Sequence, residues 1–208
     1  MIYTALVPVK ALNAAKSRLA AHLSQQQREI LVLDMLHHVL QVLLASRLFE
    51  RVSVVSPDTR VLEQARFWGA LSLKEEQHGH NSALHGAAVR EQAAGAAAIL
   101  TISADLPLLC INDVQAMVEQ SKQHTVVLAP SQDGTGTNAI LMRPPLVLPY
   151  LFGLNSRQHY QQAASQQKLS SAIYRSMGLA LDIDTIDDLH HLQDVTGTRR
   201  YIYDCCIV

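Results

Sequence analysis

Lys10, Lys16, Ser17 and Arg18 crowd one short stretch near the N-terminus, Val9-Lys10-Ala11-Leu12-Asn13-Ala14-Ala15-Lys16-Ser17-Arg18-Leu19. A triphosphate needs several cations and backbone donors, and a basic loop leading into a possible helix start supplies both. Three carboxylates farther along complete a candidate set. Asp105 stands in Ala104-Asp105-Leu106-Pro107, and Asp182 and Asp184 flank Ile183 in Leu181-Asp182-Ile183-Asp184-Thr185. On an extended chain Asp182 and Asp184 project to one side and Ile183 to the other. Carboxylates converging from separate strand ends suit Mg²⁺, which takes a few carboxylates together with phosphate oxygens. Two of them also have a plainer structural reading, Asp105 as a turn residue and Asp184 as a helix cap with Thr185.

A second cluster is rich in glycine and hydroxyls. In Ala129-Pro130-Ser131-Gln132-Asp133-Gly134-Thr135-Gly136-Thr137-Asn138, alternating glycines free backbone N–H groups to face an anion, and the threonines add donors. Phe152-Gly153-Leu154-Asn155-Ser156 offers another small-residue corner at a helix start. Together they form a candidate second anion site.

Other chemistries find less support. There is no Walker A pattern and no G-x-G-x-x-G, which argues against a P-loop NTPase and a nicotinamide dehydrogenase. His37-His38, His78-Gly79-His80 and His190-His191 lack metal-ligand spacing, and only His159 is retained as a candidate substrate contact. The role of His80 is left open. Cys110, Cys205 and Cys206 make neither a disulfide framework nor a metal site, and the Cys205-Cys206 pair falls in an expected C-terminal tail.

The elements that must position these residues alternate. Residues 2–9 form an apolar strand, and Ser24 opens a helix with Gln27 as its capping-box partner. Ile30, Leu33, Leu36, Leu40, Leu43 and Leu44 make its expected apolar face. Strands follow at 52–56, 71–73, 97–103, 125–129, 138–142 and 180–183. Helices are expected after Asp58, from Asn81 as cap to about Gly95, over 112–122, over 156–167, and after Thr185 with Asp188 near its start. This alternation predicts one α/β domain over 1–208, with a tail from about 196, built on a mostly parallel sheet with helices on both faces. Ligands in such sheets bind beyond the carboxyl ends of strands, so the loops after Val9, Ser103 and Ile183 are the place for chemistry.

Composition narrows the class. Hydrophobic residues make up 49% of the 208 positions, enough for a sizeable core. Lys and Arg total 17 against 18 Asp and Glu, a formal net charge of -1, which gives no bulk attraction to nucleic acid or an anionic membrane. The N-terminus lacks a signal-peptide pattern and no uninterrupted apolar run reaches a membrane span, so a cytoplasmic protein is expected. Nothing in the pattern sets an oligomeric state.

Six motifs in order, VPVKALNAAKSRL, HNSAL, ADLPLL, DGTGTNAILMRP, FGLNSRQHY and LDIDTIDDL, resemble those of the 2-phospho-L-lactate and phosphoenolpyruvate guanylyltransferases of coenzyme F420 biosynthesis. The resemblance spans about residues 3–190. It implies a Rossmann-like nucleotide-diphospho-sugar-transferase (GT-A type) fold, GTP as donor and a phosphorylated three-carbon acid as acceptor. By motif, Lys10, Lys16, Ser17 and Arg18 would contact the triphosphate and Asn81 would lie near the guanine nucleotide. Asp105 and Asp184 would hold Mg²⁺, with Asp182 as the substitute. Thr137, Asn138, Gly153 and Ser156 would receive the acceptor, and a downstream F420-pathway transferase would be a partner. Lys16, Arg18 and Asp105 would carry catalysis, in which the acceptor phosphate attacks the α-phosphorus of GTP and pyrophosphate leaves. The acceptor is left open among 2-phospholactate, phosphoenolpyruvate and 3-phosphoglycerate. Rival readings are a molybdopterin guanylyltransferase, a sugar-nucleotide enzyme or a non-catalytic nucleotide-binding module.

Overall fold

The apolar first segment becomes β1 (Tyr3–Pro8), buried on both faces: Ala5 and Val7 join one core layer and Leu6 the other. The computed structural model describes residues 2–76 and 79–197. After β1 come α1 (Gln25–Ser46), β2 (Arg51–Ser56), α2 (Thr59–Phe67), β3 (Leu71–Lys74), α3 (His80–Ala93) and β4 (Ala98–Ile102). Then follow α4 (Ile111–Gln120), β5 (Val126–Pro130), β6 (Thr137–Met142), α5 (Ser156–Gln166), β7 (Ser171–Ile173), α6 (Met177–Ala180) and α7 (Ile186–Thr196).

The strands make one seven-stranded sheet in the order β3-β2-β1-β4-β6-β5-β7. β6 runs antiparallel to both its neighbours, while the other four pairings are parallel. The chain builds outward from β1 to β3 and then returns to lay β4 on the other side of β1. That reversal leaves a crevice at the carboxyl ends of β1 and β4, where the loops expected to do chemistry emerge. One sheet face carries α1, α2 and α4 over residues such as Leu36, Val61 and Met117; the other carries α3 and α5 over Leu84 and Tyr160.

Several expectations are corrected. Ser24 and Gln27 do form the capping box of α1. Its buried residues, however, are Leu31, Val32, Met35, Leu36, Val39, Leu40 and Leu43, and Leu44 is exposed. The helix packs on two sides at once. Val32, Leu36, Val39, Leu40 and Leu43 meet the sheet, while Leu31 and Met35 meet a satellite core with Leu19, Ile183 and Leu189. An 18-residue stretch within the 22-residue α1, at a mean hydropathy of 1.4, is apolar enough to cross a membrane by length and composition alone, although it is no uninterrupted apolar run. Its polar breaks (Arg28, Glu29, Asp34) hide this from a search for unbroken runs.

Gly79, not Asn81, precedes α3 at its N-terminus. The strand expected at 180–183 does not form: Ala180 ends α6, and residues 181–184 belong to no strand. β7 was not expected; it is three residues long and lies at the sheet edge, too short for a periodicity. Apart from residues 196 and 197, the expected tail lies outside the described residues, as do Cys205, Cys206 and His78.

Candidate active site

The basic loop is tied down at two points before it reaches the crevice. Leu12 N–H donates to Asp58 Oδ2 at 3.0 Å, fixing it to the turn after β2. Arg28 of α1 donates from its guanidinium to the Ala15 carbonyl at 2.9 Å. Two short 3₁₀ turns, Leu12–Ala14 and Ser17–Leu19, fold the loop between these anchors. Lys16 stands between the turns in the left-handed region, at φ 51°. A non-glycine residue there costs about 1 kcal/mol or more, a conformation that persists where surrounding structure imposes it.

The Lys16 side chain is only 8% exposed. Its ammonium donates to Asp105, just beyond β4, and to Asp184 Oδ1 at 2.9 Å. Asp105 also accepts Ile183 N–H on its backbone carbonyl at 3.3 Å, stitching the loop after β4 to the segment before α7. Ile183 is fully buried in the satellite core, which turns Asp182 and Asp184 outward into the crevice as the alternation predicted. Asp184 does not cap α7. Thr185 does, in a capping box with Asp188, whose carboxylate also accepts Asp184 N–H at 2.9 Å.

The oxygens of Asp105, Asp182 and Asp184 lie within 4.8 Å of one another. Hard oxygen donors at this spacing can hold a divalent cation. Charge crowding leaves its mark on Asp182, whose carboxyl is pushed up to about 6 by burial and then by the Asp105 charge, against the downward pull of an Asn138 hydrogen bond. Burial would also raise Asp184, but the cations of Lys16, Arg18 and Lys10 outweigh it and hold it below the usual range. Burial pulls the Lys16 ammonium down, and the Asp105 and Asp184 carboxylates more than offset this. Lys16 therefore stays protonated.

The crevice is a cleft of about 440 Å³. Lys10, Lys16, Asp105, Asp182, Asp184 and Gly153 all line it, so the structure brings together six of the residues singled out by sequence. Ser17 and Arg18 are exposed beside it, with the Arg18 guanidinium 3.6 Å from Asp184 Oδ2. Gly153 has φ 133°, a backbone conformation that favours glycine.

Others stand behind the wall rather than on it. Asn81 gives its amide to the Phe152 carbonyl and accepts Phe152 N–H, both at 3.0 Å, so it holds the Phe152-Gly153 corner. Ser156 and Thr137 are buried and bonded hydroxyl to hydroxyl at 3.1 Å. The Asn138 amide donates to Asp182 Oδ1 at 3.0 Å and to the Leu179 and Ala180 carbonyls, both at 3.1 Å. His159 is exposed on α5, away from the cleft lining.

In the Gly/Thr-rich loop, Asp133 accepts the Thr135 N–H and hydroxyl and the Ser131 hydroxyl. Gly136 N–H goes to Ser131 Oγ at 2.8 Å. These donors, expected to face an anion, make the loop's own turn instead. The bonds from Ser131 and Thr135 hold the Asp133 carboxyl well below the usual range.

Sequence reasoning passed over Val32 and Met35, which line the cleft, named Phe152 only as part of a corner motif, and left His80 without a role. Burial, and then the nearby Lys10 charge, lower the His80 imidazole. The α1 residues could have been found only by seeing that the helix buries two faces. Asp58 and Arg28 gave no signal, because a loop anchor looks like any charged residue.

The sheet order and the cleft over its reversal point define a nucleotidyltransferase-like fold. A protein from Desulfovibrio desulfuricans G20, assigned as a nucleotide-diphospho-sugar transferase, superimposes with a TM-score of 0.81 over 97% of this chain and 90% of its own, at 17% identity. Residues 3–204 match the model of the family described as guanylyl transferase CofC like, and the chain belongs to that family. It is 41% identical over 196 residues to the phosphoenolpyruvate guanylyltransferase of Rubrobacter xylanophilus, covering 94% of this chain and 95% of that one. It is 31% identical over 202 residues to the 2-phospho-L-lactate guanylyltransferase of Methanobrevibacter smithii, covering 95% and 88% respectively.

Proposed function

We propose that this chain joins GMP from GTP to the phosphate of a three-carbon phospho-acid and releases pyrophosphate, within coenzyme F420 biosynthesis. The observation that carries the reading is the contact of Lys16 with Asp105 and Asp184, which unites the basic loop and the carboxylates in one cleft. Relatives named for phosphoenolpyruvate and for 2-phospho-L-lactate support this acceptor class.

The acceptor's phosphate oxygen is already anionic, so the chain needs no general base; its task is to align and neutralise. Lys16 and Arg18, with Lys10 and Ser17 on the same loop, would hold the β- and γ-phosphates and balance the charge of the departing pyrophosphate. Asp105 and Asp184, joined by Asp182, would hold Mg²⁺. When bound, the ion supplies Lewis-acid neutralisation of the reacting phosphates. Asn81 would act through the Phe152-Gly153 corner it holds. Gly153 would meet the acceptor, with Thr137, Asn138 and Ser156 setting that wall.

Incubation with GTP, Mg²⁺ and each of 2-phospholactate, phosphoenolpyruvate and 3-phosphoglycerate, scored for pyrophosphate, tests the proposal. At least one acid is expected to release it stoichiometrically with GTP consumed. Binding of GTP with no pyrophosphate from any acid would leave a non-catalytic nucleotide module.

A further inference from the structure

Beside the cleft lies a second hollow of about 220 Å³ that shares Pro8, Val9, Lys10 and His80 with it. It sits over the carboxyl ends of β1, β2 and β3, on the side of the reversal point away from β6. Ala11 and Ala14 of the basic loop, Pro57 after β2 and Ala83 of α3 give it small, mostly apolar walls that suit a flat aromatic ring.

Glu75 is the one acidic residue lining it. Its N–H donates to the Ser56 carbonyl at 3.1 Å, so the backbone continues the β2–β3 pairing and is held at the hollow's edge. Its neighbour Glu76 pairs with Arg90. The half-buried carboxylate of Glu75 makes no hydrogen bond or ion pair with another described side chain. Lys10 shares the wall, and among the described residues no ion pair joins the two. An acceptor-only group placed on an apolar wall without a donor calls for a ligand that brings two.

We infer that Glu75 reads the Watson–Crick edge of guanine, accepting N1–H and the 2-amino group on its two carboxylate oxygens. The inference rests on the guanylyl-transfer reading and deepens it. Guanine offers two adjacent N–H donors that match a carboxylate. Adenine turns a lone pair toward it at N1 and has no donor at C2. A nucleotide laid this way has its base over β1–β3 and its phosphates at Lys16 and Asp105, with the acceptor side at Gly153. Discrimination then arises because a purine lacking these donors leaves the carboxylate desolvated and unpaired.

Inosine triphosphate keeps N1–H and lacks the 2-amino group, so it isolates one bond. Wild-type protein and Glu75→Gln are compared with GTP, ITP and ATP by direct binding calorimetry and by kcat/KM for pyrophosphate release. A hydrogen bond to a charged group corresponds to roughly a tenfold effect or more. The wild type is expected to favour GTP over ITP by roughly tenfold, and Glu75→Gln to lose roughly ten- to a hundredfold in GTP affinity, mainly through KM, and to bring the GTP/ITP ratio near unity. Glu75→Gln with wild-type GTP affinity and an unchanged GTP/ITP ratio would overturn the assignment. The binding arm separates the two ideas. A wild type that prefers GTP in binding but releases no pyrophosphate refutes guanylyl transfer and leaves the Glu75 assignment to stand on the ratio. A folded variant is verified by its melting temperature.

Discussion

Lys16 Nζ lies 2.9 Å from Asp184 Oδ1 and also donates to Asp105, so a single cation from the first loop bridges carboxylates brought in by two distant segments of chain. It occupies the space between groups that would otherwise repel. On the proposed function Lys16 would have two roles, balancing the charge of these carboxylates and holding phosphate when nucleotide binds.

Lys16→Met therefore separates metal from nucleotide. Turnover is expected to fall by about 10²–10³, the usual consequence of losing one charged contact to a reacting phosphate. Divalent-cation affinity without nucleotide should hold or rise, because a competitor for the carboxylates is gone. Steady-state kinetics and metal titration measure both; a variant that loses metal binding along with turnover would contradict this division.

Asp182 gives the metal-free protein a pH dependence. Its carboxyl is pushed up to about 6, so the folded chain holds that proton more tightly than the unfolded chain does. The contribution is fully present below the ordinary carboxylate range and is lost as pH rises through about 6, at ~1–2 kcal/mol after solvent screening. Asp182→Asn should flatten this slope. Added Mg²⁺ should stabilise the wild type more as pH climbs through the same window, since the ion displaces the proton. Melting temperatures between about pH 4 and 8 test it, and a wild type that gains stability relative to Asp182→Asn over that range would contradict it.

Asn138→Ala removes three hydrogen bonds at once. Asp182 Oδ1 and the carbonyls of Leu179 and Ala180 lose their shared donor in a buried setting. Each unpaired buried group costs about 1–3 kcal/mol unless water reaches it. A lowered melting temperature and a raised KM for the acceptor are expected together. No fall in melting temperature and no rise in KM would mean the amide is not what holds the segment at 179–182.

The larger part of the sheet and the gathering of the basic loop and the carboxylates at its edge were legible in the chain. The capping box at Ser24 and Gln27 marked α1, and the alternation through Ile183 put Asp182 and Asp184 on one side even though residues 181–184 belong to no strand. What resisted reading was whatever depends on a partner far away in sequence. Asn138 and Asn81 look like ligands, yet their amides are taken up by residues 179–182 and by Phe152. Thr135 and Gly136 look like anion donors, yet Asp133 and Ser131 beside them accept first. Spacing tells which side chains share a face; it does not tell which hydrogen bonds are already made.

Gly178 carries a test of how the carboxylates are placed. An added methyl there would collide with Asp113 Oδ2, and it would lie 2.7 Å from the Leu108 carbonyl. Asp113 also caps α4 by accepting Cys110 N–H at 3.0 Å, so neither partner yields freely. Gly178→Ala should cost ~1–3 kcal/mol as overpacking. Because α6 leads directly into 181–184, activity should fall further than stability explains. Equal activity at temperatures where the variant is fully folded would show that α6 does not position Asp182 and Asp184.

The most direct measurement uses an acceptor acid whose phosphate oxygens carry ¹⁸O, incubated with GTP and Mg²⁺ and followed by mass spectrometry. If the acceptor phosphate attacks the α-phosphorus, every labelled oxygen stays in the guanylyl adduct and the pyrophosphate carries none. Asp105→Asn, folded as the wild type, should form almost no adduct. Label in the pyrophosphate, or an Asp105→Asn variant that makes adduct at the wild-type rate, would contradict the account.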